Sequence, residues 1–338
     1  MSDPTLPFEH VSAREDSHGL VTDLSPNQRV WRRFKHNRPA LVSLWFLALL
    51  AVAVIAWPML VNLMSRSGVH GARLAQQLQP DRVSNDQFQP PTLEHWFGTD
   101  VHGRDLLSRV LYGAQVSLVV GLVGAAVSLV IGVLWGAVAG YAGGRIDSAM
   151  MRLVDILYSL PSIILVIVVL TTFESVLKRW FSGMGVQASI LSPRLLLLVA
   201  GLGAVSWLTM ARIVRGQVLS LRQRAFVEAS RALGAGPIRI LAHHIIPNTL
   251  GIVIVYLALT IPAIMLSESF LSYLGLGIQP PMASWGSLIA EGADQINPIR
   301  IYWWLITFPA GFLVTSLLAL NFLGDGLRDA WDVRGEKR

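Results

Sequence analysis

The sequence predicts an all-α membrane protein with six transmembrane helices and with both termini in the cytoplasm. Apolar residues make up 53% of the 338 residues and charged residues only 14%, which is far from the balance of a soluble domain. The apolar residues form runs long enough to cross about 30 Å of hydrocarbon as helices that rise about 1.5 Å per residue. Basic residues gather beside these runs, so the formal net charge of +6 is interpreted as membrane orientation and not as nucleic-acid binding.

Basic residues lie directly before the first apolar run. They are Arg29, Arg32, Arg33, Lys35 and Arg38. By the positive-inside rule they hold the N-terminus in the cytoplasm. The uncharged run that follows is longer than the apolar core of a signal peptide and begins well inside the chain, which favours an uncleaved span.

Six apolar runs alternate with polar segments along the chain. The predicted spans cover residues 39–65, 110–144, 156–173, 195–211, 247–267 and 301–324. The predicted organisation is a cytoplasmic tail with a basic pre-membrane segment (1–38), a first transmembrane helix (39–65), an external loop (66–109), a five-helix core (110–324) that contains a cytoplasmic loop (212–247), and a cytoplasmic tail (325–338).

Three glycines recur at intervals of four in the second span, at Gly132, Gly136 and Gly140. Small residues at that spacing let two helices approach closely in lipid. A bend-tolerant helix that faces lipid is the alternative, but three glycines in one stripe favour a packed interface.

The first external loop ends in a cluster of turn-forming and charged residues. The cluster comprises Phe97, Gly98, Thr99, Asp100, Gly103, Arg104 and Asp105. It predicts a turn followed by a helix, with Asp100 as the N-terminal cap. A role in solute binding is the alternative.

Residues 226–248, FVEASRALGAGPIRILAHHIIPN, form a charged helical hairpin between two spans, and such a segment must face water. Gly234 stands where a helix would stop in a left-handed cap, Pro237 suits the first turn of a second helix, and Pro247 is predicted to end or redirect that helix. Apolar stripes at helical spacing comprise Phe226, Ala229, Ser230 and Leu233 in the first half and Ile238, Leu241, Ala242 and Ile245 in the second. The segment is too short for a core of its own, so we expect a partner protein to cover it.

Motifs for catalysis and nucleotide binding are absent from the sequence. The only lysines are Lys35, Lys178 and Lys337, and none follows glycine, so a P-loop cannot be assembled. There is no cysteine, which excludes a disulfide framework, a zinc-thiolate site and a catalytic thiol. The adjacent His243 and His244 point about 100° apart on a helix and do not form the i, i+4 pair that a metal prefers. An enzyme is therefore the least favoured class, and we assign no cofactor or metal to this chain.

The hairpin resembles the EAA loop of the membrane subunits of ABC importers. The family pattern is Glu-Ala-Ala, three residues, glycine, nine residues, isoleucine, one residue and Leu-Pro. The sequence matches this pattern, with the spacing kept, at Glu228, Ala229, Gly234 and Pro247. It departs from the pattern at Ser230, His244 and Ile246.

Four further stretches resemble the second permease subunit of dipeptide and oligopeptide importers. They are FGTDVHGRDLLSRVLYGAQVSL from Phe97, MRLVDILYSLP from Met151, SESFLSYLGLGIQPPMASWG from Ser267 and NFLGDGLRDAWDVR from Asn321. Nickel importers of the same family share these stretches, so nickel or another small solute is the alternative cargo. A membrane scaffold or receptor that signals through the hairpin is the alternative of a different class.

The resemblance implies the type I ABC importer permease fold in a bacterial inner membrane, with this chain as half of a heterodimeric pathway. The implied partners, besides membrane lipid, are a second permease subunit, two cytoplasmic ATPase subunits and an extracytoplasmic solute-binding protein. ATP and Mg would bind to the ATPases, and this chain would bind no cofactor.

The resemblance also implies that the hairpin is the coupling helix, seated in a cleft of an ATPase subunit. Glu228 would face the ATPase and Gly234 would provide the bend. The full set of expected coupling residues is Glu228, Ala229, Ser230, Gly234, Ile238, Leu241, Ile245 and Pro247. The alternative interpretation of Glu228 is a surface ion-pair cluster with Arg224 and Arg231.

Glu268 lies near the external end of the fifth predicted span, where an acid is costly unless it is paired or wet. A helix-end residue hydrated at the surface is the favoured interpretation. A residue of the translocation path that attracts the amino group of a peptide is the alternative.

Overall fold

A computed structural model describes residues 26–183 and 192–331, and in these ranges the chain forms helices, loops and one isolated β-bridge between Thr99 and Asp105. The helices are α1 (Pro26–His36), α2 (Arg38–Ser65), α3 (Gly68–Gln77), α4 (Leu106–Ala142), α5 (Gly144–Tyr158), α6 (Ser162–Gly183), α7 (Pro193–Leu221), α8 (Ala225–Ala232), α9 (Pro237–Ile240), α10 (Ile246–Tyr273), α11 (Trp285–Ala293) and α12 (Trp304–Trp331), with a π-helical turn (Leu241–Ile245) between α9 and α10. The all-α fold class is confirmed. The predictions for residues 1–25, 184–191 and 332–338 lie outside the described residues.

Within the described ranges, five helical segments are long and apolar enough to cross a membrane. They are α2, α4, α7, the continuous stretch Pro237–Tyr273 and α12. A sixth crossing results if α5 and α6 act as one bent pair. The number of predicted spans agrees with this arrangement, and the side on which the termini lie stays a prediction from charge.

The third predicted span, residues 156–173, is not one straight helix. Instead α5 and α6 meet at an angle of 85°, with Pro161 in the break between them. Proline has no N–H to donate, and it disfavours the helical conformation of the residue before it. The Ser159 N–H closes the end of α5 on the Asp155 carbonyl at 3.0 Å. The chain therefore makes a sharp turn within the third predicted span.

Two ion pairs fasten α5 to α7. Arg215 donates to Asp147 through Nε at 2.5 Å and through Nη2 at 2.7 Å. Arg212 Nη2 lies 2.8 Å from Asp155 Oδ1. These ion pairs hold the short α5 against the helix bundle.

The glycine stripe of α4 packs against α7, as predicted. A Cβ placed on Gly132 would lie 2.6 Å from the Met210 Cβ, and one on Gly140 would lie 2.9 Å from the Val218 Cβ. A side chain would therefore push the two helices apart at both positions. The stripe, with Gly136 at its centre, lets α4 and α7 approach closely and behave as one packed pair.

Asp105, and not Asp100, caps α4, so the predicted cap is wrong. Asp105 Oδ1 accepts the Ser108 N–H at 2.8 Å. The loop turns at Gly103, which has a φ of +69°, and this turn brings the helix start later in the chain than the sequence suggested. Asp100 instead accepts hydrogen bonds from two guanidinium groups, those of Arg104 and Arg109.

These two arginines form the external ion network with Asp100 and with Glu291 of α11. Asp100 Oδ2 lies 2.6 Å from Arg104 Nε and 2.8 Å from Arg109 Nη1. Arg109 also reaches Glu291 Oε2 at 2.5 Å and Oε1 at 3.0 Å. The side chains of Arg109 and Asp100 are only 3% and 5% exposed, so each charge depends on its partners. The network fastens α4 and the loop before it, which is predicted to be external, to α11.

Candidate functional site

The first half of the hairpin, α8, ends in a glycine turn, as predicted. Gly234 has a φ of +84°, in the left-handed region. The Ala235 N–H donates to the Ser230 carbonyl and the Gly234 N–H to the Arg231 carbonyl, both at 3.0 Å. This is a Schellman turn, in which a side chain at Gly234 would be strained.

The hairpin exposes large apolar side chains on α8, at the glycine turn and on α9. Leu233 is 89% exposed, Ile238 83% and Phe226 41%. We call Phe226, Leu233 and Ile238 the exposed tip. Grouped apolar side chains with such exposure are typical of a surface that a partner covers.

The opposite face of the hairpin is anchored in the chain's own core. Val227, Ile240 and Ile245 are at most 1% exposed, and Leu241 is half-buried beside them. They pack with side chains of α4 and α7, namely Val133, Ala137, Met210, Val214 and Val218. Ile245, one of the expected coupling residues, faces inward and does not lie on the exposed surface, so its part in coupling stays a prediction. Val227 and Ile240 were not predicted as anchors, since each is one apolar residue among many in the sequence.

The second half of the hairpin runs without interruption into the membrane. Pro247 lies in the first turn of α10, directly after the π-helical turn, so the prediction that it ends or redirects the helix is wrong. A π-helical turn widens the helix and accommodates a residue without an N–H. Asn248 Nδ2 donates to the His244 carbonyl at 2.5 Å, which satisfies one acceptor of the turn. The stretch Pro237–Tyr273 is thus a single helical segment of 37 residues.

Glu228 is exposed in the first turn of α8. Neither Arg224 nor Arg231 forms an ion pair with it in the described part of the chain, so the predicted surface cluster does not form. An acid in the first helical turn still stabilises α8 through the helix dipole. Ser230, a departure from the family pattern, donates to the Phe226 carbonyl at 2.8 Å and stays within its own helix.

Glu268 lies in the interior, with 0% of its surface exposed. Its carboxylate accepts hydrogen bonds from Ser272 Oγ at 2.7 Å and from Ser117 Oγ and Ser269 Oγ at 3.3 Å each. The interpretation as a hydrated helix end is wrong, because α10 continues to Tyr273 and the following loop folds over the carboxylate. The role in the translocation path stays a prediction.

The hydroxyls around Glu268 also hold the segment that leads into α11. The Ile278 N–H donates to Ser272 Oγ at 3.0 Å, and the Trp285 N–H donates to Ser117 Oγ at 3.2 Å. Glu268 thus orients two serines that accept backbone hydrogen bonds from the loop and from α11. We call Glu268, Ser117, Ser269 and Ser272 the serine cage.

Metal binding finds no support in the part of the chain that the structure describes. No group of three or more histidine, aspartate or glutamate side chains is close enough there to hold an ion. His243 and His244 lie in the π-helical turn, where His243 is exposed and His244 half-buried.

In the described residues, five helices long and apolar enough to span a membrane, or six with the bent pair, and an exposed hairpin between two of them form the architecture expected of a transport permease. The chain belongs to the family of binding-protein-dependent transport system inner membrane components, which it matches over residues 132–334. Residues 25–91 match the N-terminal transmembrane domain of oligopeptide transport permease C. The chain is accordingly a permease subunit and not an enzyme, and it is a multi-pass protein of the bacterial inner membrane.

Individual permease proteins are similar to this chain over most of their length. The oligopeptide transport system permease protein OppC of Escherichia coli (strain K12) is 45% identical over 303 residues, which cover 89% of each chain. The dipeptide transport system permease protein DppC of Bacillus subtilis (strain 168) is 41% identical over 91% of this chain and 86% of the relative. OppC of Mycobacterium tuberculosis (strain CDC 1551 / Oshkosh) is 38% identical over 90% and 93%. The resemblance inferred from the sequence motifs is confirmed.

Proposed function

We propose that this chain is the permease subunit of an ATP-driven importer of di- or oligopeptides, in which it forms half of a heterodimeric pathway. The relatives support the peptide cargo, since they are named as permease proteins of oligopeptide or dipeptide transport systems. The match of residues 25–91 to a domain of an oligopeptide permease supports it independently of the hairpin.

The exposed tip carries the proposed coupling to ATP hydrolysis. Leu233 and Ile238 are 89% and 83% exposed at the end of a hairpin whose other face is fixed in the core. A cleft in a cytoplasmic ATPase subunit is the proposed cover for these side chains. Two such subunits would bind ATP and Mg, while a second permease and an extracytoplasmic solute-binding protein would complete the assembly.

The anchored face explains how a movement of the tip would reach the spans. Val227, Ile240 and Ile245 sit in one cluster with side chains of α4 and α7. Closure of the ATPase pair would therefore displace the tip, the stretch Pro237–Tyr273 and the packed pair α4 and α7 together. Rigid elements of this kind switch between discrete arrangements, here inward-open and outward-open.

The coupling residues divide by their position on the hairpin. Glu228 and Ala229 are exposed on α8 and would face the ATPase together with the exposed tip. Gly234 would set the angle between α8 and α9. Leu241 and Ile245 lie in the core and would transmit a displacement of the hairpin to α4 and α7. Pro247 would fix the widened π-helical turn.

We assign Glu268 a positioning role in the path in place of direct contact with a peptide. Its carboxylate is closed off by three serine hydroxyls, and two of these serines hold the loop and α11. In this proposal α11 borders the external side of the path, and Glu268 keeps it against α4 and α10.

Reconstitution of the complete transporter tests the proposed function. Proteoliposomes that contain this chain with its partner permease, ATPases and binding protein should accumulate labelled di- or oligopeptide only when ATP is supplied. Accumulation of nickel without peptide would assign the same machinery to a different solute and contradict the peptide proposal. Assembly without ATP-dependent uptake of either solute would favour a scaffold or receptor.

A further inference from the structure

An apolar groove lies between α1, α2 and α12, and the proposed transport cycle makes no use of it. Its volume is about 490 Å³. The lining side chains are apolar and include Trp31, Phe34, Leu44, Leu323, Leu327 and Trp331. An open groove of this kind beside a membrane helix is suited to hydrocarbon.

Cationic side chains stand at the edge of this groove. Lys35 Nζ lies 5.3 Å from the centroid of the Trp31 ring, and that ring lines the groove. Arg38 follows the extended Asn37 and is exposed at the first residue of α2, the helix that contributes Leu44 to the groove. Lysine and arginine cover apolar surface with their stems while their charged ends stay in water.

Asp325 and Asp329 of α12 are exposed but do not line the groove, and Asp329 accepts a hydrogen bond from Asn37 Nδ2 at 3.4 Å. The groove therefore combines an apolar floor with a cationic edge. This combination complements an amphiphile that carries a negative charge.

The groove lies at the end of the bundle that carries the hairpin. A Cβ placed on Gly251 would lie 3.0 Å from Trp331 Cδ1, which puts the groove wall beside the start of α10. If the hairpin meets cytoplasmic ATPases, as the proposed function holds, the groove opens to the inner leaflet. Basic pockets beside transmembrane helices on that side are suited to anionic lipid headgroups.

We propose that this groove binds one anionic phospholipid, with an acyl chain along Trp31, Leu323 and Leu327 and the phosphate at Lys35 and Arg38. Free phosphate would use only the cationic edge, and a zwitterionic lipid would use mainly the apolar floor. An anionic phospholipid contacts the apolar floor and the cationic edge at once.

The test is lipid titration of the delipidated transporter complex, followed by native mass spectrometry. Phosphatidylglycerol should bind at one tight site in the wild type. Because each basic residue near the headgroup adds about 1 kcal/mol, the double variant Lys35→Gln and Arg38→Gln should weaken that binding about thirtyfold. The control, Arg145→Gln with Arg152→Gln, removes two exposed charges from α5 and should leave the tight site intact.

A variant of the floor and two competitor ligands complete the test. Leu327→Gln should also weaken the tight site, provided that the complex stays assembled. Equal binding of phosphatidylcholine, displacement of the lipid by inorganic phosphate, or unchanged binding in the Lys35 and Arg38 variant would each overturn the proposal. The assay measures binding without transport, so its failure is distinguishable from a failure of peptide uptake.

Discussion

Gln115 of α4 donates a hydrogen bond from Nε2 to the Val54 carbonyl of α2 at 2.7 Å. Val54 lies four residues before Pro58, which has no N–H and cannot provide the usual helical donor. Gln115 therefore supplies from a neighbouring helix the donor that is missing inside the first span. An unpaired carbonyl is costly in lipid, so this bond ties α2 to the core.

Gln115→Leu should lower the free energy of unfolding in detergent by about 0.6–1.7 kcal/mol, the range found for hydrogen bonds between membrane helices. Pro58→Ala restores an N–H four residues after Val54, and this N–H can donate to the Val54 carbonyl. Gln115→Leu should therefore cost less stability in the Pro58→Ala variant than in the wild type. A double-mutant cycle measures the coupling. If the two substitutions act additively, Gln115 is not replacing the donor that Pro58 lacks.

Gly136→Ala should destabilise the packing of α4 on α7. The new Cβ would lie 3.0 Å from the Val214 Cβ and from the Arg215 N. Overpacking of this size costs about 1–3 kcal/mol. Gly216→Ala is the matched control, because nothing lies within 4 Å of its Cβ position and alanine favours helix by up to about 1 kcal/mol. Thermal unfolding that ranks the two variants in the reverse order would argue against close α4 and α7 packing.

Arg109→Leu should open the external ion network. Asp100 and Glu291 would each lose a partner, and breaking a buried pair costs about 3–5 kcal/mol. We expect the lower end of that range, because the Glu291 side chain is 32% exposed. Arg109→Lys should lie between leucine and the wild type, since lysine cannot make the two-pronged contact with Glu291. Unfolding curves check the order, and a leucine variant as stable as the lysine variant would show that the charge contributes little.

Glu268→Leu should loosen α11 while Glu268→Gln largely preserves it. Leucine leaves the hydroxyls of Ser117 and Ser272 without their acceptor, at a cost of about 1–3 kcal/mol, whereas the glutamine carbonyl still accepts one hydrogen bond. Hydrogen exchange at the Ile278 and Trp285 amides reports the loosening directly. If both amides were as protected from hydrogen exchange in the leucine variant as in the wild type, the positioning role of the serine cage would be contradicted.

The sequence predicts the helical elements of this protein well because their signals are local. The glycine stripe from Gly132 to Gly140 and the left-handed turn at Gly234 each follow from the residues in one stretch of chain. Proline was harder to interpret. Pro161 coincides with a sharp break, whereas Pro247 is absorbed by a widened turn, and only the surrounding packing decides between these outcomes.

The long-range contacts could not be predicted from the sequence. Whether Ile238 or Ile245 faces inward depends on how the hairpin docks on α4 and α7, since both residues lie on one predicted stripe. The same limit applies to Glu268, whose serine partner Ser117 is distant in sequence. Asp100 was misassigned because the turn at Gly103 directs its carboxylate to the guanidinium groups of Arg104 and Arg109 and leaves Asp105 at the start of α4.

The exposed tip is the most direct point at which to test the proposed coupling of this permease to cytoplasmic ATPase subunits. The measurement is ATPase co-purification and peptide-stimulated ATP hydrolysis for Leu233→Asp and Ile238→Asp, beside Leu93→Asp as the control. Leu93 is 95% exposed in the external loop, so it matches Leu233 in type and exposure but lies outside the hairpin. We predict that both tip variants lose association or uncouple hydrolysis from uptake while the control behaves as the wild type. Normal co-purification and normal coupled uptake by both tip variants would contradict the account.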